Sequence, residues 1–181
     1  VGVAQQPVGA RPCGLRKRDA DRGRDVDLLV VDLERRHQVA VHAFGDVNRD
    51  GRLDIVIGQH FKRPWLEPVA VRLYLNRGLR DGEPHFEDVT AASRVGKPGR
   101  AMGVVATDVD DDGWIDVIVA NDAMANFVWR NAGDGTFVDV AARAGLAFGR
   151  DGEDRASMGV TVADLDGDGR RDVLMPDTRG G

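Results

Sequence analysis

The chain has 181 residues, of which 42% are hydrophobic and 30% are charged, a composition typical of a globular protein and not of a disordered tail. Its formal net charge of −5 leaves no basic excess for neutralising phosphates, so nucleic acid is excluded as an expected partner. The apolar runs are only strand-sized, whereas a membrane-spanning helix needs about 20 apolar residues, so we expect no membrane span. The single cysteine, Cys13, rules out an internal disulfide.

An irregular N-terminal segment is expected over residues 1–40. Residues 1–18 show no hydrophobic periodicity, and we expect them to be disordered or to form a packing arm. The acidic stretch 19–27, followed by the apolar residues 28–31, has the pattern of a degenerate loop and strand, with its glycine one position early. Whether this degenerate loop binds an ion is left open.

Three acidic loops with the pattern Asp-x-Asp/Asn-x-Asp-Gly-x-x-Asp follow, at residues 46–54, 108–116 and 164–172. Each loop is flanked by short β-branched segments, which predict one strand before it and one after it. Further strands are predicted in the first two repeats, at residues 69–75, 85–89, 126–129 and 136–140. Four strands per repeat form one propeller blade.

The sequence therefore predicts an all-β fold of β-propeller-type four-stranded blades with calcium-binding loops, with about two and a half to three blades present. The predicted boundaries are blade 1 at 41–96, blade 2 at 97–150 and the start of blade 3 at 151–181. Single helical turns are predicted at 91–96 and 141–146. Because an incomplete set of blades exposes sheet edges, we expect either a longer propeller or assembly with other chains.

The acidic loops have the chemistry of a hard-cation site. Oxygen atoms at positions 1, 3, 5 and 9 and the carbonyl at position 7 converge, while glycine at position 6 permits the bend. Oxygen-only ligands favour Ca²⁺, with Mg²⁺ second. We predict about three calcium ions. The predicted ligands are Asp46, Asn48, Asp50, Arg52 and Asp54; Asp108, Asp110, Asp112, Trp114 and Asp116; and Asp164, Asp166, Asp168, Arg170 and Asp172.

Two other interpretations of these loops are weaker. An EF-hand needs a glutamate at position 12, but Ile57, Val119 and Met175 stand there. Ordinary Asp/Gly turns between strands need no carboxylate at four positions in three copies. Several carboxylates in one small loop also repel one another unless a cation is bound.

The repeat resembles the FG-GAP/VCBS repeats, which form blades of integrin-α-like β-propellers. The resemblance rests on the acidic loops and on runs such as Arg-Asn-Ala-Gly-Asp-Gly-Thr-Phe at 130–137. This run is similar to those of secreted bacterial proteins of the ASPIC/UnbV-associated type. The resemblance implies calcium at the residues named above and an extracellular or periplasmic setting. Propellers of this family usually have seven blades, more than this chain supplies.

These features predict a calcium-stabilised extracellular module for adhesion, ligand binding or scaffolding, with no catalytic residues of its own. Two alternatives are a polysaccharide-active enzyme using His60, Lys62 and Arg63, and a subunit of a self-assembling extracellular structure. The repeats diverge at residues 59–68 and 148–155. These two loops are the predicted surfaces for a glycan or protein ligand, because recognition resides in variable loops on a rigid scaffold.

Overall fold

The computed structural model describes residues 15–18, 25–28, 40–60 and 67–178, with the backbone alone for 15–18, 25–28 and 40. The chain divides into two compact units, Val1–Arg36 and His37–Gly181. Strands dominate the described residues, and the helix α1 is a single turn, Thr90–Ser93. No helix in these ranges is both long and apolar enough to cross a bilayer. The predicted all-β class is confirmed.

The first unit contains an antiparallel hairpin of β1 (Leu15–Arg18) and β2 (Asp25–Leu28). Residues 1–18 were expected to be disordered or to form a packing arm, and disorder is wrong for 15–18; β2 begins inside the predicted degenerate loop. The register of the hairpin pairs Leu15 with Leu28 and Arg18 with Asp25. Residues 1–14, 19–24 and 29–39 lie outside the described ranges.

The described part of the second unit contains two four-stranded antiparallel sheets and two two-stranded ones. The first sheet consists of β3 (Ala40–Gly45), β4 (Asp54–Gln59), β6 (Arg72–Arg80) and β7 (Glu83–Asp88), in that order. The second consists of β9 (Ala101–Thr107), β10 (Asp116–Asn121), β11 (Phe127–Asn131) and β12 (Phe137–Asp139). The third pairs β13 (Thr161–Ala163) with β14 (Asp172–Leu174). The predicted blade pattern is confirmed.

Two predicted elements differ in detail. The strand predicted at 69–75 is divided, because β5 (Val69–Ala70) leaves its own sheet and pairs with β8 (Pro98–Gly99) of the next repeat. The predicted helical turn at 141–146 is an irregular turn instead. Ala144 N–H donates to Val140 O at 2.9 Å, but Gly145 then takes a φ of 71°, which no helix continues.

The core forms on both faces of the second sheet. Strands β4 and β10 are buried along their whole length because each is paired on two edges. Since side chains alternate along a strand, the two faces of β10 and β11 enter different clusters. Val117, Val119, Phe127 and Trp129 pack with Val56, Val71 and Leu73 of the first repeat. Ile118 and Val128 pack with Val160, Val162 and Val173 of the third.

Each acidic loop joins the first and second strands of a sheet. Because β3 lies beside β9, the first two loops lie next to each other at one end of their sheets. Their contact is direct: Arg49 of the first loop hydrogen-bonds to the Gly113 carbonyl of the second at 2.8 Å. The fold therefore groups the predicted metal ligands at the strand ends.

Candidate metal centre

The three loops share one backbone conformation. Positions 4 and 6 have a positive φ in every loop, at Arg49 (57°), Gly51 (82°), Asp111 (58°), Gly113 (85°), Gly167 (79°) and Gly169 (84°). The left-handed region favours glycine, so position 6 is glycine in all three. At Gly113 a Cβ would also lie 2.1 Å from Arg49 Nη2, so a side chain there would displace the Arg49 guanidinium from the second loop.

Backbone amides orient the carboxylates at positions 1 and 5. At position 1, one carboxylate oxygen accepts the N–H of position 6 at 2.8–2.9 Å, in Asp46, Asp108 and Asp164. At position 5, Oδ1 accepts the N–H of position 7 at 2.8–3.0 Å, in Asp50, Asp112 and Asp168. The ligands are thus placed by the chain itself, in the same way three times.

The carboxylate at position 9 closes each loop. In Asp54, Asp116 and Asp172, Oδ2 accepts the N–H of position 2 at 2.9–3.1 Å. In the first two repeats Oδ1 also accepts the N–H of an asparagine on the third strand, Asn76 or Asn131, at 2.8 Å. Position 9 therefore ties the loop to its own sheet.

Asp54 and Asp116 are fully buried. Burial raises the pKa of both carboxyls above the usual 3.8, although the backbone amides oppose the shift. Neighbouring carboxylates of the same loops raise the pKa further, those of Asp46 and Asp50 for Asp54. The ionised loops thus carry an electrostatic cost that a bound cation would relieve.

The carboxyl at position 5 shifts in the opposite direction. The Trp114 N–H, followed by the Arg130 guanidinium, lowers the pKa of Asp112. The Arg170 side chain lowers the pKa of Asp168. For Asp50, desolvation acts to raise the pKa, but hydrogen bonds from Asn48 and Arg52 lower it overall. Position 5 is therefore ionised at neutral pH.

Carboxylate oxygens converge in the second and third loops. Those of Asp108, Asp110 and Asp112 lie within 4.8 Å of one another, and so do those of Asp164, Asp166 and Asp172. The first loop has Asn48 at position 3, whose amide donates to Asp50 Oδ2 at 2.9 Å. Asp116 and Asp168 stand outside the convergent groups, held instead by backbone amides and by Arg170.

The donor set of the second loop fits a hard cation. Asp108 Oδ1 is buried and has no hydrogen-bond partner among the described residues, while its Oδ2 is held by Gly113. An unpaired buried carboxylate oxygen beside two further carboxylates is what an oxygen-ligated cation requires. The carbonyls of Arg52, Trp114 and Arg170 and the full ligand sets stay predictions.

Arginines contact position 5 in every loop. Arg52 and Arg170 stand at position 7 of their own loops, with guanidinium nitrogens 2.6 and 2.8 Å from the position-5 Oδ2. In the second loop position 7 is Trp114, and Arg130 of β11 takes this place, 2.7 Å from Asp110 Oδ2 and 3.3 Å from Asp112 Oδ2. The sequence analysis did not identify Arg130. Position 7 is arginine in the first and third loops but Trp114 in the second, and this difference could have indicated that another arginine contacts the second loop.

The chain matches the sequence profile of the FG-GAP-like repeat twice, over residues 46–119 and 108–175. The chain belongs to the FG-GAP-like repeat family. The recognition made from the sequence is confirmed.

This FG-GAP-like chain is also similar to Cartilage acidic protein 1. Identity is 30% over 142 residues with the proteins of Mus musculus and Homo sapiens, covering 78% of this chain but only 19% and 18% of those proteins. The Xenopus tropicalis protein is 30% identical over 137 residues, 74% of this chain and 20% of the relative. The chain thus spans about a fifth of the relatives' length.

Two side chains of the FG-GAP-like chain connect the first and second loops. Arg49 donates to Gly113 O at 2.8 Å and to Asp112 O at 3.3 Å, and its guanidinium lies 4.1 Å from the centre of a Trp114 ring. Asn131 donates to Val47 O at 2.9 Å in the first loop and to Ile115 O in the second. The sequence did not indicate either contact.

His60 has a partner that the sequence did not reveal. His60 follows β4, as expected for a loop residue, and its Nε2 lies 3.1 Å from Asp122 Oδ2, just beyond β10. Both residues lie at the ends of their sheets remote from the acidic loops.

The structure describes the divergent loop 148–155 in full but only the ends of the loop 59–68. Gln59 is a buried residue of β4, and residues 61–66, including Lys62 and Arg63, lie outside the described ranges. In 148–155, Arg155 Nε donates to Phe148 O at 3.0 Å, and Arg155 Nη1 lies 3.7 Å from Asp177. Arg155 is thus engaged within the fold, and Phe148 remains 41% exposed.

Proposed function

We propose that this chain is a calcium-stabilised extracellular repeat module for adhesion, ligand binding or scaffolding, without catalysis of its own. The carrying observation is the second loop, where three carboxylates converge and a buried oxygen of Asp108 has no partner among the described residues. The third loop, with a second convergent group, supports the same proposal.

Calcium would supply the positive charge that these carboxylates lack. The residues of the chain supply the rest: amides fix positions 1, 5 and 9, and position 9 connects the loop to the third strand. Since these contacts preorganise the ligands, ion binding would add to the stability of the strand connection.

Thermal unfolding in calcium and in EDTA tests the proposal. Extracellular calcium modules bind at about 10⁻⁴ to 10⁻³ M, and a site held at 100 times its Kd gains about 2.7 kcal/mol. We therefore expect a clearly higher Tm in 10 mM CaCl₂ than in EDTA, with a smaller effect of MgCl₂. Isothermal titration should give about three sites. A Tm unaffected by EDTA would contradict the calcium role.

An extracellular or periplasmic setting belongs to the proposal, because millimolar-range affinity suits calcium outside the cytoplasm. The relatives named above are vertebrate proteins, so they lend no support to a bacterial-type setting. Glycan or protein binding through residues 59–68 and 148–155, and assembly into oligomers or a longer propeller, are proposals too. Glycan arrays, and sedimentation of the chain with and without calcium, test them.

A second candidate is a polysaccharide-active enzyme, favoured by the His60–Asp122 pair. An imidazole 3.1 Å from a carboxylate, with side chains 16% and 31% exposed, has the geometry of an oriented general base. Incubation with acidic polysaccharides would then release new chain ends, and His60→Ala would abolish the release. Equal release by the wild-type chain and this variant would contradict catalysis by His60.

A further inference from the structure

In all three loops the two carboxylate oxygens of the position-5 aspartate have the same two kinds of partner. Oδ1 accepts the backbone N–H of position 7, and Oδ2 faces a guanidinium. The Oδ2 contacts are 2.6 Å for Arg52 with Asp50, 3.3 Å for Arg130 with Asp112 and 2.8 Å for Arg170 with Asp168. In these contacts the backbone amide holds Oδ1, and only side chains contact Oδ2.

The arginine comes from two different places in the sequence. In the first and third loops it is the residue at position 7, whereas in the second it arrives from β11, sixteen residues beyond Trp114 in chain position. Arg130 lies 2.7 Å from Asp110 as well, so it bridges two carboxylates of the convergent group. The same contact made from unrelated positions indicates a shared electrostatic requirement.

We propose that Arg52, Arg130 and Arg170 are resident counter-ions of the acidic loops, which neutralise the position-5 carboxylate when calcium is absent and compete with calcium for its Oδ2. This inference rests on the proposed calcium function. It assigns to the arginines a role in setting affinity that is separate from ligation.

The physical basis is charge balance within a small volume. Converging carboxylates repel one another, and a guanidinium within hydrogen-bond distance reduces that repulsion. A cation that uses Oδ2 must displace the guanidinium or share the oxygen with it, and either costs binding free energy. Arg130 is 46% exposed, so solvent screens its effect, and we expect a change in affinity of about twofold to fivefold.

Arg130→Gln tests the inference, with Arg143→Gln as a matched control. Arg143 lines the same groove as Arg130 beside the second loop, so the control removes an equal charge nearby without removing the contact to Asp110 and Asp112. Calcium affinity is measured by isothermal titration, and stability without calcium by thermal unfolding in EDTA.

Arg130→Gln should bind calcium about twofold to fivefold more tightly at one site and should unfold at a lower temperature in EDTA, while Arg143→Gln stays close to wild type. Unchanged or weaker binding by Arg130→Gln would overturn the inference alone. Equal tightening by both variants would also overturn it, because a long-range charge effect would then suffice. Wild-type protein that binds no calcium would overturn the proposed function and this inference together.

Discussion

Asp108 and Asp116 belong to one acidic loop, yet their replacement by asparagine should have opposite consequences in the absence of calcium. Asp116 is fully buried, and its oxygens accept the N–H groups of Val109 and Asn131 at 3.1 and 2.8 Å. In Asp116→Asn only one oxygen remains, and the new amide group directs a donor at one of those N–H groups. Asp108 instead uses one oxygen for Gly113 and has a second without a partner in the described part of the chain.

The expected magnitudes follow from these contacts. A buried N–H left unpaired costs about 1–3 kcal/mol, so Asp116→Asn should lower the free energy of unfolding by that amount in EDTA. Asp108→Asn keeps an acceptor for Gly113 and removes one charge from the group with Asp110 and Asp112, so its stability in EDTA should equal or slightly exceed that of wild type. In saturating calcium it should lose the contribution of one site, about 2.7 kcal/mol at 100 times the Kd.

Urea denaturation of both variants in EDTA and in 10 mM CaCl₂ measures this contrast. Asp81→Asn, in the exposed turn between β6 and β7, serves as the control for loss of one carboxylate outside the loops. The reasoning would be refuted if Asp108→Asn destabilised the calcium-free protein as much as Asp116→Asn. It would also be refuted if Asp116→Asn were neutral in EDTA.

Three other predictions concern the core and the titration of the loop. Trp129→Ala should cost about 3–5 kcal/mol in chemical denaturation because its side chain is 1% exposed within the first cluster; a loss below 1 kcal/mol would contradict this. Gly99→Ala should cost about 1–3 kcal/mol, since its Cβ would lie 2.6 Å from Asn121 Oδ1, and wild-type stability would argue against that contact. In calcium-free protein, NMR should find the pKa of Asp116 above 3.8 and that of Asp112 below it. As the pH rises from 3.8 through the raised pKa of folded Asp116, ionisation of this carboxyl should lower the free energy of unfolding. An Asp116 pKa below that of Asp112 would refute the burial argument.

The loops could be predicted from the sequence because their determinants are local. Amides two to seven residues away hold the carboxylates at positions 1 and 5 and one oxygen at position 9, so the spacing of aspartates and glycine carries most of the loop conformation. The strands were predictable for a related reason, since the buried runs of β4 and β10 stand beside these loops. Most strand boundaries differ by a residue or two, but β6 continues to Arg80, five residues beyond the predicted end, because pairing and not composition decides where a strand ends.

Contacts between distant parts of the chain could not be predicted in this way. Arg130 reaches the second loop from β11 of the same sheet, whereas Arg49 reaches it from the first loop and His60 meets Asp122 across two sheets. These contacts depend on how strands and sheets pack, and a single sequence does not encode that as a spacing. The hairpin of β1 and β2 was missed because residues 1–18 show no hydrophobic periodicity and residues 19–27 were interpreted as a degenerate loop.

The contact of Arg49 with Trp114 bears on how such an array could grow by gene duplication. If the first repeat were copied in tandem, Arg49 would meet Arg52 of the copy at position 7, and an attraction between a cation and an aromatic ring would become a repulsion between two cations. The junction with such a copy would therefore lose a contact worth about 0.5–1 kcal/mol at an exposed site until position 7 of the copy had diverged. The order of repeats along this chain is accordingly part of its structure, because neighbouring copies are complementary and not interchangeable.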